Sequence, residues 1–479
     1  MRHLKSLFLT FALLFVLTLS AQLPSDSICY EVEGMNVSSF NGAASFWQHS
    51  TEYGKITDAP NSGFLLLGLN KNVSTKHRKF DYGFNANGLV QYSGDSKDVY
   101  FHELYATARL LVFDLTVGSR EEFLGNQDSS LSGGGLMFSR NARPMPKIAA
   151  GIEQFADIPF TQGYAQIKGA VSHGWFSKDA YEQGAYLHHK WGQIRFGGKL
   201  PVHFQYGFEH IGIWGGTIPG YGLQPSSVKD LLSVFLARSG GSDVPEGEQI
   251  NAMGNHIISQ SMRLDVDIAE FKIGGYWQNI AEDNPIRLMW ETMNTADGLW
   301  GVTIRNTKFP IIKGIIYEYL NTTDQSGPYH DKDGIVYGGS DGYFTNYIYR
   351  SGWTYRSRMI GTPFVSNFKF DSQGRVIPQT LNNRVQVHHF GIEGSFNGFL
   401  YKTLASFSKN YGQYGLYPLS ENVRRDNTSL LLEINKKFSR LGGVEIGCSL
   451  GSDYGSLYGN TFGIMFSIKK AGNLFKYGE

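Results

Sequence analysis

The chain has 479 residues, including 58 Gly, 33 Phe and 27 Tyr, but only two Cys. Two cysteines cannot form a disulfide framework, so a small disulfide-stapled fold is excluded. The 43 Lys and Arg residues are balanced by 42 Asp and Glu residues, and this balance argues against nucleic acid as a partner.

The N-terminus has the three parts of a secretory signal peptide. Arg2 and Lys5 give a basic start, residues 7–19 are mostly apolar, and Ala21 is a small residue suited to precede the cut. We therefore expect cleavage after Ala21, with an uncleaved membrane anchor as the alternative. Loss of Arg2 and Lys5 leaves 41 basic against 42 acidic residues, a net charge of −1.

Polar and apolar residues alternate over most of the chain, from about Tyr82 to Ile468. At residues 263–268 the sequence Arg-Leu-Asp-Val-Asp-Ile puts apolar side chains on one face of a strand and charged side chains on the other. Lipid offers no partner for backbone N–H and C=O groups, so strands can span a membrane only as a closed sheet. The sequence predicts an all-β fold, a transmembrane antiparallel β-barrel over residues 61–479. Residues 22–60 would form an N-terminal periplasmic or plug segment.

The same alternation recurs at residues 163–171, 193–200, 444–450 and 461–468. Removal of the 21-residue leader leaves 458 residues. At roughly 25 residues for each strand and its loop, that length predicts about 16–18 strands. A soluble β-sandwich or β-helix is the alternative, with the apolar face buried in a protein core.

The connections differ in length. Residues 268–271 suggest a tight turn, whereas residues 217–259 and 321–344 form long connections. The first of these predicts a short helix, because Ser227 and Asp230 form a capping-box pair and apolar residues follow at helical spacing: Val228, Leu231, Leu232 and Phe235. Such barrels keep periplasmic turns short, so we expect the long connections outside the cell.

No catalytic motif and no cofactor-binding motif stands out in the sequence. His188-His189 suggests a metal site, but adjacent residues of a strand point to opposite faces, so the two side chains cannot easily share an ion. We therefore predict no catalytic residue, no metal and no cofactor.

Five stretches stand out together, and in this order the set resembles the Wzi family of capsule-assembly outer-membrane proteins, in its Bacteroidetes branch. They are SRNARPMPK at 139–147, SHGWF at 172–176, LHHKW at 187–191, FEHIGIWGG at 208–216, and YFTNYIYRSGWTY at 343–355 followed by IGTP at 360–363. The resemblance implies an 18-stranded monomeric barrel in the cell outer membrane. It also implies a lectin-like role in anchoring or organising capsular polysaccharide, without enzymatic activity.

A glycan partner would need aromatic platforms for sugar C–H faces, and Arg or Lys for acidic sugars. The stretch that follows the second long connection supplies both residue types. We predict polysaccharide contact at the extracellular mouth by Trp353, Tyr355, Arg356, Arg358, Tyr343 and Tyr347. The alternatives are an interfacial aromatic girdle or packing for the aromatic residues, and ion pairs with lumen acids for the arginines.

Two other functions are open at this point. A porin or sugar-transport channel would share the barrel but keep an open lumen. A barrel-embedded enzyme acting on lipid or glycan would need a nucleophile–base pair, which the sequence does not show.

Overall fold

The computed structural model describes residues 27–74, 79–250, 252–282, 297–325, 330–332, 335–337, 342–371, 373–377, 380–413 and 424–476. The predicted signal peptide lies outside the described residues. Within these ranges, each helix is too short or too polar to serve as a membrane-spanning segment.

Eighteen strands form one closed antiparallel sheet, as the alternation predicted. The sheet closes where β1 pairs with the last strand, β18, with Gly34 opposite Ile468. The first nine strands are β1 (Ser27–Ser39), β2 (Asn61–Lys71), β3 (Phe80–Ser93), β4 (Ser96–Leu110), β5 (Phe113–Ser119), β6 (Pro146–Asp157), β7 (Ala165–Trp175), β8 (Tyr186–Phe196) and β9 (Val202–Trp214). The other nine are β10 (Asn255–Ile268), β11 (Phe271–Glu282), β12 (Gly298–Asn306), β13 (Gly314–Asn321), β14 (Val385–Phe396), β15 (Phe399–Asn410), β16 (Arg425–Phe438), β17 (Val444–Gly455) and β18 (Thr461–Lys476).

The connections carry the remaining elements. The helices are α1 (Phe46–His49), α2 (Val228–Phe235), α3 (Glu246–Ile250) and a 3-10 turn at Ser439–Leu441. Three small hairpins pair Thr217–Ile218 with Gly222–Leu223, His330–Lys332 with Ile335–Tyr337, and Thr354–Tyr355 with Arg358–Met359.

Connection length identifies the two ends of the barrel. The first and last strands start and finish at one end, where Ser27 lies opposite Lys476. Connections at that end have eight residues or fewer, including the predicted tight turn between β10 and β11. The longest connections lie at the other end, at residues 40–60, 120–145, 215–254 and 322–384. Short turns are periplasmic in such barrels, so the long connections are extracellular.

The outer face of the barrel is apolar, as lipid requires. In β16, Leu430, Leu432 and Ile434 are exposed, while the intervening Glu433 points into the lumen and pairs with Lys402 at 2.8 Å. In β10 the apolar residues also face outward and the charged residues inward, as predicted for residues 263–268. A closed barrel with this belt is the architecture of an outer-membrane protein.

The wall begins before the predicted start of the barrel at residue 61, and it ends at Lys476, within the predicted limit of 479. β1 lies within the predicted N-terminal segment 22–60, yet it belongs to the barrel and joins β2 to β18. Its alternation is interrupted by Gly34 and Asn36 on the outward face, which hid the strand in the sequence. At the other end β18 continues past Ile468 to Lys476 by pairing with β1, and Lys469 of this extension points inward and pairs with Glu31 at 2.5 Å.

The extracellular half of the lumen holds an apolar core rather than the charged interior that the alternation suggested. Inward-facing wall residues such as Ile211, Ile257 and Leu320 are fully or almost fully buried there. They pack against the connections at 40–60, 120–145 and 342–384 rather than against water. Strand ends in this region are therefore apolar toward the lumen.

Candidate functional site

Three long connections fold back into the barrel, and we call residues 40–60, 120–145 and 342–384 the inner segments. Trp47 of α1 is buried with its ring 5.6 Å from that of Phe364 and 5.0 Å from that of His389 on the wall. Trp353 donates its indole N–H to the Met137 carbonyl at 2.6 Å. The three inner segments therefore pack against one another and fill the space that a porin would leave open.

Polar contacts fix the inner segments to the wall. Ser132 Oγ donates to the Glu318 carboxylate of β13 at 2.6 Å, and the backbone N–H of Gly133 donates to the same group at 2.9 Å. Nearer the periplasmic end, Arg305 of β12 pairs with both Asp128 and Glu393. These contacts make the filled barrel a rigid support for the residues at its mouth.

A cavity of about 200 Å³ remains in the lumen beside β6, β7 and β8. Charged side chains line it, and several pair with one another: Arg120 with Glu153 at 2.8 Å, and Lys147 with Glu122. These ion pairs tie the start of the inner segment 120–145 to the wall.

Two of the predicted polysaccharide contacts are packing residues. Trp353 and Tyr343 are fully buried, and Tyr343 donates its hydroxyl hydrogen to Asp297 at 2.9 Å. A fully buried side chain has no surface to offer a polymer. Trp353 and Tyr343 therefore serve as packing residues in this structure, and the predicted contact is left to the exposed members of the set.

Arg358 and Tyr355 also face inward. Arg358 donates from its guanidinium to the carbonyl of His49 at 3.0 Å and to that of Ile56 at 2.8 Å, so it joins two inner segments. Tyr355 is about 9% exposed. Of the six predicted residues, Tyr347 and Arg356 are the exposed ones, with Tyr347 about 52% accessible.

These two exposed residues belong to a cluster of aromatic and cationic side chains at the extracellular mouth. We call this cluster the mouth patch, and its members are Tyr181, Tyr347, Arg350, Arg356 and Phe370. The rings of Tyr181 and Phe370 stack with centroids 4.8 Å apart. Arg350 lies 5.6 Å from the Tyr181 ring centroid and is hydrogen-bonded to the Tyr347 carbonyl at 3.3 Å.

The connection between β7 and β8 supports the mouth patch from below. The backbone N–H of Tyr181 donates to Ser351 Oγ, and that of Ser351 donates to the Glu182 carboxylate, both at 3.1 Å. Arg356, held at a φ of +51°, pairs with Asp179 at 2.9 Å. The mouth patch is thus built on two connections that lie far apart in sequence.

Burial and charge set the ionisation of the supporting groups. Burial raises the pKa of Glu182 to about 7, even though Ser351 donates to its carboxylate. Partial burial opposes ionisation of Arg356, but the Asp179 carboxylate keeps the pKa of the guanidinium above its ordinary value. Arg356 therefore presents a charged guanidinium group to the mouth patch.

The family model for capsule assembly protein Wzi matches residues 48–376. The chain belongs to the Wzi family. The matched range includes the whole mouth patch and most of the inner segments, and it confirms the resemblance found in the sequence. Membership of the Bacteroidetes branch stays a prediction.

A solved structure shows the same fold. The outer-membrane protein Wzi of Escherichia coli, described as a carbohydrate-binding β-barrel involved in group 1 capsule assembly, is 14% identical and superimposes with a TM-score of 0.62. That match covers 93% of this chain and 85% of the other. OccK5 (OpdH) of Pseudomonas aeruginosa is 8% identical, with a TM-score of 0.48 over 95% of this chain and 100% of its own. Among curated proteins, none matches significantly.

In this Wzi-family chain, sequence reasoning missed Tyr181 and Phe370. Each lies in a connection without a local motif, and only folding stacks the two rings. Among the residues that the structure describes, no group of three His, Cys, Asp or Glu side chains could hold a metal ion. His188 and His189 point to opposite faces of β8, as expected, because His189 bonds to Glu209 inside the lumen while His188 lies against α2 outside it.

Proposed function

We propose that this barrel holds capsular or other surface polysaccharide at its extracellular mouth and catalyses no reaction. The mouth patch is the observation that carries the proposal. It combines stacked aromatic rings with exposed guanidinium groups on a filled, rigid barrel. Family membership supports a role in capsule assembly, and the carbohydrate binding described for the Escherichia coli relative supports the ligand class.

The chemistry of the mouth patch suits an acidic sugar polymer. Tyr and Phe faces pack against sugar C–H groups, and Tyr hydroxyls both donate and accept hydrogen bonds. Arg350 and Arg356 can donate paired hydrogen bonds to a carboxylate or phosphate. Asp179, the present partner of Arg356, is exposed, so an anionic sugar can compete for the guanidinium.

Weak single contacts are sufficient for this role. A repeating polymer can engage many barrels on one cell surface, and each further attachment is then intramolecular. The rigid mouth loses little entropy on binding. We expect each barrel to be a monomer, and many barrels on the cell surface to hold one polymer together. A transport function is disfavoured because the inner segments occupy the lumen.

The test is capsule retention in cells. A strain lacking the gene is complemented with the native gene, with an Arg350→Ala, Arg356→Ala variant, or with an Arg424→Ala control. Arg424 is a matched control because it is also 48% exposed and paired with an aspartate, Asp426, but lies on another connection.

We expect the deletion strain to make capsule but shed it into the medium. The native gene and the Arg424→Ala control should restore attachment, whereas the double variant should not at equal surface abundance. A capsule layer unchanged by the deletion would overturn the anchoring role. Full attachment by the double variant would remove the mouth patch from the site.

A further inference from the structure

The outer face of β8, β9 and β10 carries a polar cluster where a membrane barrel should be apolar. His188, Lys190, His210 and His256 all point away from the lumen, since their strand neighbours His189 and Ile211 face inward. The three histidines are almost fully buried. His210 and His256 stack with centroids 5.0 Å apart and share a 2.8 Å hydrogen bond between their ring nitrogens.

The connection at 215–254 covers this cluster from outside the barrel. Phe235 of α2 lies 5.0 Å from the His188 ring, and Lys190 donates to the Phe235 carbonyl at the end of the helix. Val234 contacts Gly212 so closely that a Cβ on the glycine would lie 2.7 Å from its methyl group. Helix α2 therefore docks on the wall and shields imidazole and ammonium groups that would be costly to expose to lipid.

The other face of α2 is also apolar and has no protein partner in the described chain. Val228 is 75% exposed and Leu232 is 56% exposed, and Leu236 continues the same stripe. Leu223 and Ile250 add exposed apolar surface elsewhere in the connection. A helix that is apolar on both faces needs a second apolar environment beyond the barrel wall.

The height of α2 on the barrel identifies that environment. In the sheet register Val171 of β7 lies opposite Lys190, and Trp175 lies opposite Tyr186. Val171 and Trp175 are exposed on the outer face of β7, the strand next to β8, on which α2 docks. The outward stripe of the helix is thus continuous with the lipid-facing belt near its extracellular edge, where Trp side chains are typical.

We propose that the connection at 215–254 lies in the outer leaflet, with α2 as a second layer between the barrel wall and the acyl chains of the membrane lipid. The exposed Lys229 and Arg238 suit the headgroup level of such an interfacial helix. The proposal rests on the membrane barrel and not on polysaccharide binding. It also links lipid to the mouth patch, because Tyr347 of the patch contacts this connection at Gly247.

The test places a nitroxide at Leu232 of the full chain, after Cys29→Ser and Cys448→Ser remove the natural thiols. The labelled protein is reconstituted in vesicles of phosphatidylethanolamine and phosphatidylglycerol. Collision rates with oxygen, which concentrates in lipid, and with a nickel chelate, which stays in water, are measured by electron paramagnetic resonance. Val171→Cys is the lipid-facing control and Lys369→Cys the water-facing control. Leu236→Cys gives a second reporter if the first label impairs folding.

We expect the labels on α2 to show the oxygen-rich, chelate-poor profile of Val171. A profile like that of Lys369 would overturn the proposal and leave the helix in water. Protection from both reagents, with spin–spin broadening that disappears on dilution among unlabelled barrels, would place a second copy of this chain on the helix and would also overturn it. Lipid exposure measured without any polysaccharide keeps this outcome separate from the proposed function.

Discussion

At the scale of single residues, position within an inner segment decides whether an aromatic side chain is packed or exposed. Trp353 and Tyr347 are six positions apart, but one is fully buried and the other half exposed. The sequence grouped them because their composition is alike. Their difference arises from Met137 and the other inner segment residues that surround only Trp353.

We predict that Trp353→Ala destabilises the barrel by about 3–5 kcal/mol, because it removes a fully packed indole and its hydrogen bond. Tyr347→Ala should change the free energy of unfolding by less than about 0.5 kcal/mol, as is usual for an exposed site. Urea unfolding in detergent, followed by tryptophan fluorescence and gel mobility, measures both. Similar losses for the two variants would contradict the placement of Trp353 in the lumen core.

Glu182 gives a prediction about pH. An unfolded Glu has a pKa of 4.5, whereas burial raises the pKa of Glu182 to about 7 in the folded protein. The folded state binds the extra proton between these values, so this group's contribution to stability falls as the pH rises from 4.5 to 7.

We expect Glu182→Gln to be more stable than the native protein at pH 8, by roughly 3 kcal/mol at most, and equally stable near pH 4. The amide oxygen can still accept from Ser351, so packing is retained. Unfolding curves at the two pH values measure the difference. An equal offset at both would show that the carboxyl of Glu182 is not the titrating group.

At the scale of elements, the sequence predicted which residues of a strand share a face. It predicted less well whether that face contacts lipid, water or other protein segments. The alternation at 263–268 correctly separated lipid-facing from lumen-facing residues. The facing of β9 was harder to predict, because the extracellular end of this strand is buried on both faces. Ile211 and Ile213 face the apolar lumen core, and Trp214 lies under the connection at 215–254. No local pattern tells a lumen core from a lipid belt.

Adjacent residues of β16 test the facing of the wall. Leu432→Arg puts a charge among lipid-facing neighbours in mid-strand and should cost roughly 2–4 kcal/mol. Glu433→Gln keeps a polar group in the lumen and removes one charge of an ion pair with Lys402 whose side chains are about one-fifth exposed, so it should cost less than about 1 kcal/mol. Folding yields in detergent and lipid compare the two variants. Equal yields would argue that Leu432 does not face lipid.

The sequence predicted helix α2 but not its position in the fold. The capping box of Ser227 and Asp230 forms as the sequence indicated. The helix ends at Phe235, where Lys190 from the wall donates to its last carbonyl. That contact joins residues 45 positions apart. Only the folded wall shows that the helix docks outside the barrel.

At the scale of the whole molecule, length and alternation gave a barrel of about the right strand number. They did not show that 40–60, 120–145 and 342–384 turn inward, since these inner segments are held by contacts such as Ser132 with Glu318 and Arg358 with Ile56. The position of the mouth patch depends on that infolding, which is why only two of six predicted contacts reach the surface.

The filled lumen predicts electrical behaviour. Purified barrel reconstituted in a planar bilayer should give no stepwise openings of the kind a porin shows, because the apolar core spans the extracellular half of the lumen. The control is a porin purified and inserted in the same way. Regular conductance steps from the native chain would revive the transport alternative.

The most direct measurement is equilibrium binding of the strain's own purified surface polysaccharide to the barrel held in lipid nanodiscs. We predict saturable binding by the native chain and by Arg424→Ala. Binding should be at least about tenfold weaker for Arg350→Ala, Arg356→Ala, since each charge-assisted hydrogen bond contributes roughly 1.5–3 kcal/mol. No binding by the native chain, or equal affinity for the double variant, would contradict a polysaccharide site at the mouth patch.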